Sequence, residues 1–355
     1  MRLKKKSPWT EWAEEEACQL VLTTPSFRVA EERFHRLTGA FISDTTMWRM
    51  VGPAGREMLE MLEGEEAASN APVQAEEEPW EERVEAFDPL IGQQANVSID
   101  GTTVCVREEG WKEVKGVTVS AVERVAKKRN GRQKGKERRQ GETSSEPEIG
   151  LFRHTYRMRL AEAEAFALVQ GAEADRRRVQ YARDLSCVHD GGLWIWPISG
   201  AYYPQAVEVL DWAHGMGNMA RMASAAFGEG SPQAHDWLEE VETLLWEGKV
   251  EEVLADKCTE LPRRRHDRGK KIRNGREYVE THLGRIRYKE FREQGYPIGS
   301  GSMESACKNV VGWRMKRGGA RWARRRVNPM LTMLGEYHSG RWSERWEQIQ
   351  WARCA

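Results

Sequence analysis

The sequence predicts an α/β fold: a mixed five-stranded sheet with helices, interrupted by a helical insertion and preceded by an N-terminal helical region. Two observations predict it. Apolar residues recur at helical spacing through residue 63, alternate with a period of two from residue 94, and return to helical spacing after residue 214. The strand-like runs are divided three and two by one helical stretch. With 355 residues, 39% hydrophobic and 31% charged, the chain has material for two or three domains under a polar surface.

Residues 1–63 read as helical. Phe27, Ala30, Phe34 and Leu37 form one stripe, with Ser26 as N-cap and Gly39 just past the end. Ser43 then caps a second helix carrying Met47, Val51 and Met58. Two helices joined by TGAFIS suit either an ordinary hairpin or a helix-turn-helix that sets its second helix in the major groove, with Thr45, Thr46 and Arg49 facing outward. An acidic linker is expected over 64–93, where Pro72 and Pro79 interrupt a run of glutamates.

Residues 94–214 carry the strands. ANVSIDGTTVCVREE alternates Val97, Ile99, Val104 and Val106; KEVKGVTVSAV continues as a second strand and HTYRMRL as a third, with a basic loop over 125–149. A helix from about Ala161 to Ala182 leads to the strand LSCVHD and, beyond Tyr203, to VEVLDW. That order is the order of an RNase H-like core. Residues 215–294 read as a helical insertion with Trp237, Val241, Leu244 and Leu245 on one face, and residues 295–355 return as C-terminal helices of the core.

The net charge of zero conceals segregation. Glu57 to Asp88 holds twelve acids and one base, whereas Lys308 to Arg326 holds eight bases and no acid. Basic blocks of this density suit phosphates, so Lys308, Arg314, Lys316, Arg317, Arg321, Arg324, Arg325 and Arg326 are expected on DNA. Trp194, Trp196, Trp313 and Trp322 could stack on bases or anchor packing. The longest uncharged stretch, Gly191 to Val207, is broken by Pro197 and Pro204, which excludes a membrane helix. The basic start leads into no apolar run and predicts no secretory signal. Six scattered cysteines without a CxxC pair exclude a disulfide scaffold and a cysteine zinc finger, and suit a reducing cytoplasm.

Three carboxylates stand where such a core needs them. Asp100 lies on the first strand, Asp190 ends the fourth, and Glu304 follows the turn GSGS near a helix start. Acids converging from separate elements can hold Mg²⁺ or Mn²⁺, and two such ions, ~3.5–4 Å apart, can serve both sides of a phosphodiester. Each acid also has a plainer reading: a turn residue for the two Asp-Gly pairs, a helix-dipole partner for Glu304.

The chain resembles the bacterial insertion-sequence transposases of the Kra type, distant relatives of the mutator-like DDE transposases. The resemblance rests on VSIDGTTVCVREEGWKEVK, on HDGGLWIW with YPQAVEVLDWAH, and above all on RIRYKEFREQGYPIGSGSMESACKNVVGWRMKRGGARW. It implies an RNase H-like fold and a metal site of Asp100, Asp190 and Glu304 holding two Mg²⁺ or Mn²⁺ ions. It further implies cleavage at transposon ends with joining to target DNA, by a homodimer or larger assembly at the bacterial nucleoid. Asp211-x-x-His214 matches a motif that mutator-like relatives carry after the second carboxylate, which implies a supporting role. Two rivals stay open: an RNase H-like nuclease that cuts without joining, and an inactive, transposase-derived DNA-binding protein.

Overall fold

The computed structural model describes residues 9–71, 84–125 and 148–354; most of the expected basic loop, and residues 72–83 of the expected linker, lie outside the described residues. Among the described residues three helices come first, each set by a hydroxyl cap: α1 (Glu11–Thr23) by Thr10, α2 (Phe27–Thr38) by Ser26 and α3 (Asp44–Ser69) by Ser43. Gly39 ends α2 in the left-handed region, at φ 71°. Ala30, Phe34, Met47, Val51 and Met58 turn inward, but Leu37 is 74% exposed and falls outside the stripe. The third helix runs on to Ser69, inside the stretch expected as linker, because its last turns bury glutamates against arginines (below).

Five strands follow: β1 (Gln94–Val106), β2 (Gly110–Val125), β3 (Glu148–Arg159), β4 (Asp184–His189) and β5 (Val207–Leu210). They form one mixed sheet in the order β3-β2-β1-β4-β5. The pairs β1–β2 and β2–β3 are antiparallel, β1–β4 and β4–β5 parallel. As the central strand, β1 is covered on both faces, so its burial is nearly continuous from Ala95 to Ile99. Asp100 and Gly101 are not a turn: they pair with Gly116 and Lys115 of β2, and the reversal comes at Gly110.

One face of the sheet packs Val97, Ile99, Val117 and Val119 against α4 (Ala163–Arg176) and α5 (Ile195–Tyr202). On the other, Val104, Val106 and Val114 meet the N-terminal helices and the C-terminal α10 (301–315), α11 (Arg324–His338) and α12 (Trp342–Cys354) in a single apolar cluster. The helix α10 opens at Gly301–Ser305, widens into a π-helical stretch at Ala306–Gly312 and closes at Trp313–Met315. Between the two parts, α6 (Trp212–Phe227), α7 (Pro232–Trp246), α8 (His266–Thr281) and α9 (Tyr288–Gln294) build their own core against β4 and β5. There Trp237, Val241 and Leu245 are buried.

A buried ion network ties the two ends of the chain to the sheet. Arg341 donates to Glu173 at 2.8 Å and to Glu336 at 2.6 Å, all three virtually without exposure. Arg345 reaches Glu336 at 2.7 Å and also Glu65, while Arg157 of β3 takes Glu66 at 3.1 Å and Glu173 at 3.0 Å. Buried charges persist only when paired, and here the acids expected to solvate a linker supply the partners. Among the described residues no helix is long and apolar enough to cross a membrane.

Candidate active site

The register of β1 on β4 decides where the site forms. Val97 pairs with Cys187, so three residues further on each strand Asp100 comes level with Asp190, just beyond the end of β4. The strands are pinned there by His189, whose Nδ1 accepts the Ile99 amide N–H at 3.0 Å. Burial and then Arg285 push that imidazole down to about 3, so it stays neutral and can accept. Asp100 is itself raised to about 6, first by burial and then by the charge of Asp190. Its Oδ1 accepts from the Gly101 amide at 2.6 Å, and Asp190 Oδ1 from the Gly192 amide at 2.8 Å.

Asp211 has a different task. As N-cap of α6 it accepts from the His214 amide at 2.9 Å and from His214 Nδ1 at 3.1 Å. Its other oxygen accepts from the Ser300 amide at 2.6 Å and the Ser300 hydroxyl at 2.9 Å. Burial opposes ionisation, but these bonds win and hold the carboxyl down to about 2. Asp211 therefore fastens the GSGS turn, and with it α10, beside the aspartate pair. The bond to Asp211 raises the His214 pKa, and the charges of Asp190 and Asp100 raise it further.

Glu304 is not at the pair. Its side chain is 66% exposed and takes Lys308 Nζ at 2.5 Å. One turn later on the same side of α10, Cys307 points its Sγ at Asp100 Oδ2, 4.0 Å away. Burial and then Asp100 push that thiol up to about 12, so it remains protonated. Among the described residues no group of three His, Cys, Asp or Glu side chains could hold a metal ion. The donor set that is assembled, two hard carboxylates that repel each other, suits a hard divalent cation that offsets both charges.

Several contributors were not signalled by motif. Tyr278 of α8 reaches across to the loop after Asp190, where a Cβ on Gly191 would overlap its phenol oxygen, so Asp190-Gly191 needs its glycine. Burial and then Asp190 push that phenol up to about 12. Lys316 Nζ bonds the Thr102 hydroxyl, two residues beyond Asp100. From Tyr278 a cavity of about 660 Å³ extends between α6 and α8, lined by Asn218, Arg221, Arg268, Lys271 and one acid, Glu229.

The residues expected on DNA are divided. Thr45 and Arg49 are exposed on the first turns of α3, whereas the Thr46 hydroxyl is engaged with Ser43 at 2.9 Å. Lys308, Lys316, Arg321, Arg324 and Arg325 are exposed, and Arg324 pairs with Glu109 at 2.9 Å. Arg317 lies over the exposed Trp313, and Arg326 over Trp48. Arg314 is buried instead: its Nε donates to the Val21 carbonyl at 2.8 Å and its guanidinium lies over Phe27, so apolar packing has taken it from the surface. Trp196 is likewise interior, between His189 and His282. No protein-family model matches the chain, and the comparison with curated proteins gives no match.

Proposed function

We propose that the chain is an RNase H-like DNA transposase, as its resemblance to the Kra-type insertion-sequence enzymes implies. The observation that carries the reading is the pair Asp100 and Asp190, Asp100 on β1 and Asp190 just past the end of the neighbouring parallel β4, with Asp100 raised to about 6. The sheet order β3-β2-β1-β4-β5, antiparallel then parallel, supports an RNase H-like core. Mg²⁺ or Mn²⁺ ions, two when both places fill, would supply Lewis acidity at the scissile phosphate and a nucleophilic water at neutral pH. Asp100 and Asp190 would hold them, and Glu304 would join after releasing Lys308. His214, fixed by Asp211, would hydrogen-bond a carboxylate or a phosphate oxygen beside the pair. Lys316 and the α6–α8 cavity, with Arg221 and Lys271, offer cationic contacts for the strands leaving the site.

In the first step water attacks phosphorus, the P–O3′ bond breaks, and the freed 3′ oxygen takes a proton. In the second that 3′-OH attacks a target phosphodiester, loses its proton, and displaces the target's own 3′ oxygen. Neither step requires a covalent protein intermediate. Handling two ends together calls for a dimer or larger assembly on DNA, working in the bacterial cytoplasm. The test is incubation of the protein with its own element ends and Mg²⁺ or Mn²⁺, resolving nicked and joined products. Nicks without joined products would leave the nuclease reading. A second reading, an inactive DNA-binding descendant, draws on the Glu304–Lys308 ion pair; it predicts end binding with no product in either metal.

A further inference from the structure

A second cavity, of about 410 Å³, lies away from the aspartate pair, where α2 and α3 meet the C-terminal segment. Among the described residues five arginines line it, Arg107, Arg314, Arg321, Arg325 and Arg326, and no carboxylate does. Of the buried arginines elsewhere in the fold, Arg157, Arg159, Arg176, Arg341 and Arg345 pair with glutamates and Arg177 with Asp88. Here the match is missing. Arg314 is 5% exposed, yet among the described residues its buried Nη2 has no hydrogen-bond partner, and neither has Nε of the half-buried Arg326. Glu109, on the neighbouring β1–β2 turn, is already held by Arg324 at 2.9 Å. Burial first, then the like charges of Arg56 and Arg325, depress Arg326; burial, then Arg317, brings Arg314 down to about 10. Desolvated cations that repel one another cost stability unless an anion offsets them. Trp48 and Trp322 supply flat apolar walls, Trp48 already stacked on the Arg326 guanidinium at 4.1 Å.

We infer that this cavity is an anion site built for a phosphate group carried on a nucleotide, with the guanidinium groups on the phosphate and the tryptophans beside the nucleoside. Planar guanidinium forks suit phosphate oxygens, and indole faces suit bases. The phosphate can belong to a free nucleotide-like anion or to a nucleic-acid chain. The site stands independently of the chemistry at Asp100 and Asp190, since no residue is shared between them.

The experiment is calorimetric titration of the full-length protein with inorganic pyrophosphate, at ionic strength held constant with chloride. Saturable binding at one site per chain is expected. Arg326→Gln and Arg321→Gln should each weaken it about tenfold, the loss expected from one charged hydrogen bond. Arg321 is exposed, so its variant should melt in chloride at the wild-type temperature, which keeps the test valid if Arg326→Gln folds poorly. A parallel arm follows a fluorescein-labelled single-stranded oligonucleotide. Its displacement by pyrophosphate identifies a chain phosphate as the occupant, whereas pyrophosphate binding without displacement identifies a free anion. Absence of pyrophosphate binding beyond chloride, or unchanged affinity in Arg321→Gln, overturns the inference.

Discussion

At the scale of single residues, the aspartates separate into two kinds. Asp100 is a group whose folded pKa lies above its ordinary 3.8, at about 6. Its burial therefore costs nothing below pH 3.8, where it is protonated in both states, destabilises the fold progressively as pH rises from there to about 6, and costs a constant amount above that. Asp100→Asn should stabilise the metal-free protein at pH 7.5 by on the order of 1 to 3 kcal/mol in urea melts, while abolishing cleavage. Asp211 behaves oppositely, because four hydrogen bonds hold it ionised. Asp211→Ala should lower stability by about 2 to 3 kcal/mol and leave residual cleavage, partly recovered in Mn²⁺. Asp190→Ala should retain most of the stability and lose cleavage outright. Residual cleavage in Asp190→Ala with none in Asp211→Ala would reverse the two roles. Asp100, Asp190 and the Asp211–His214 pair were legible because each sits in a short local pattern. His189, Cys307 and Tyr278 were not, since their contacts depend on strand register and on two helices far downstream of Asp190 in the chain.

At the scale of elements, caps and periods carried the reading. Ser26, Gly39 and Ser43 mark helix ends in the sequence because each does one geometric job there. The same local logic misjudged α3. A run of glutamates reads as solvated, and only the arginines of β3, α4 and the C-terminal segment, over ninety residues away, bury Glu66 and half-bury Glu65. It also misjudged Arg314, which a charge count assigns to the surface. On α3, Thr45 and Arg49 are exposed and can meet a groove, the Thr45 hydroxyl donating to Asp44 at 3.0 Å, while the Thr46 hydroxyl serves Ser43. Replacing Thr45 and Arg49 with Ala should remove preference for element ends in competition binding, leaving affinity for unrelated DNA within about threefold. Thr46→Ala should leave the preference in place. Retained preference in the double variant would remove α3 from recognition.

For the whole molecule, the buried ion network is the joint among the N-terminal helices, the sheet and the C-terminus. Burial opposes the charge of Glu173, yet Arg341 and Arg157 hold it down to about 2; Arg341 and Arg345 likewise hold the buried Glu336 well below the ordinary carboxylate range. Carboxyls with depressed pKa stabilise the fold above their ordinary 4.5 and lose that contribution as pH falls toward 2. Acid unfolding followed by circular dichroism should therefore be steep between those values. Glu173→Gln should cost roughly 3 to 5 kcal/mol at pH 7, because Arg341 and Arg157 would each lose a charged partner in the interior. A loss under 1 kcal/mol would show that the network is not what joins the ends. The succession of five strands along the chain was readable from periodicity; the way residues 9–69 fuse to 324–354 was not, because it rests on pairings between the two extremes of the chain.

That fusion has a geometric consequence. Gly55 of α3 lies so close to α11 that an added Cβ would sit 2.8 Å from Met333 Sδ, and this contact fixes the outward face of α3 relative to the sheet that carries Asp100. Under the proposed function the molecule is then a ruler: bases read by α3 and the bond cut beside Asp100 stand at a set separation along the helix of DNA. Inserting half a helical turn of DNA between the recognised sequence and the cut should abolish cleavage at the original junction, and a whole turn should move the cut rather than restore it.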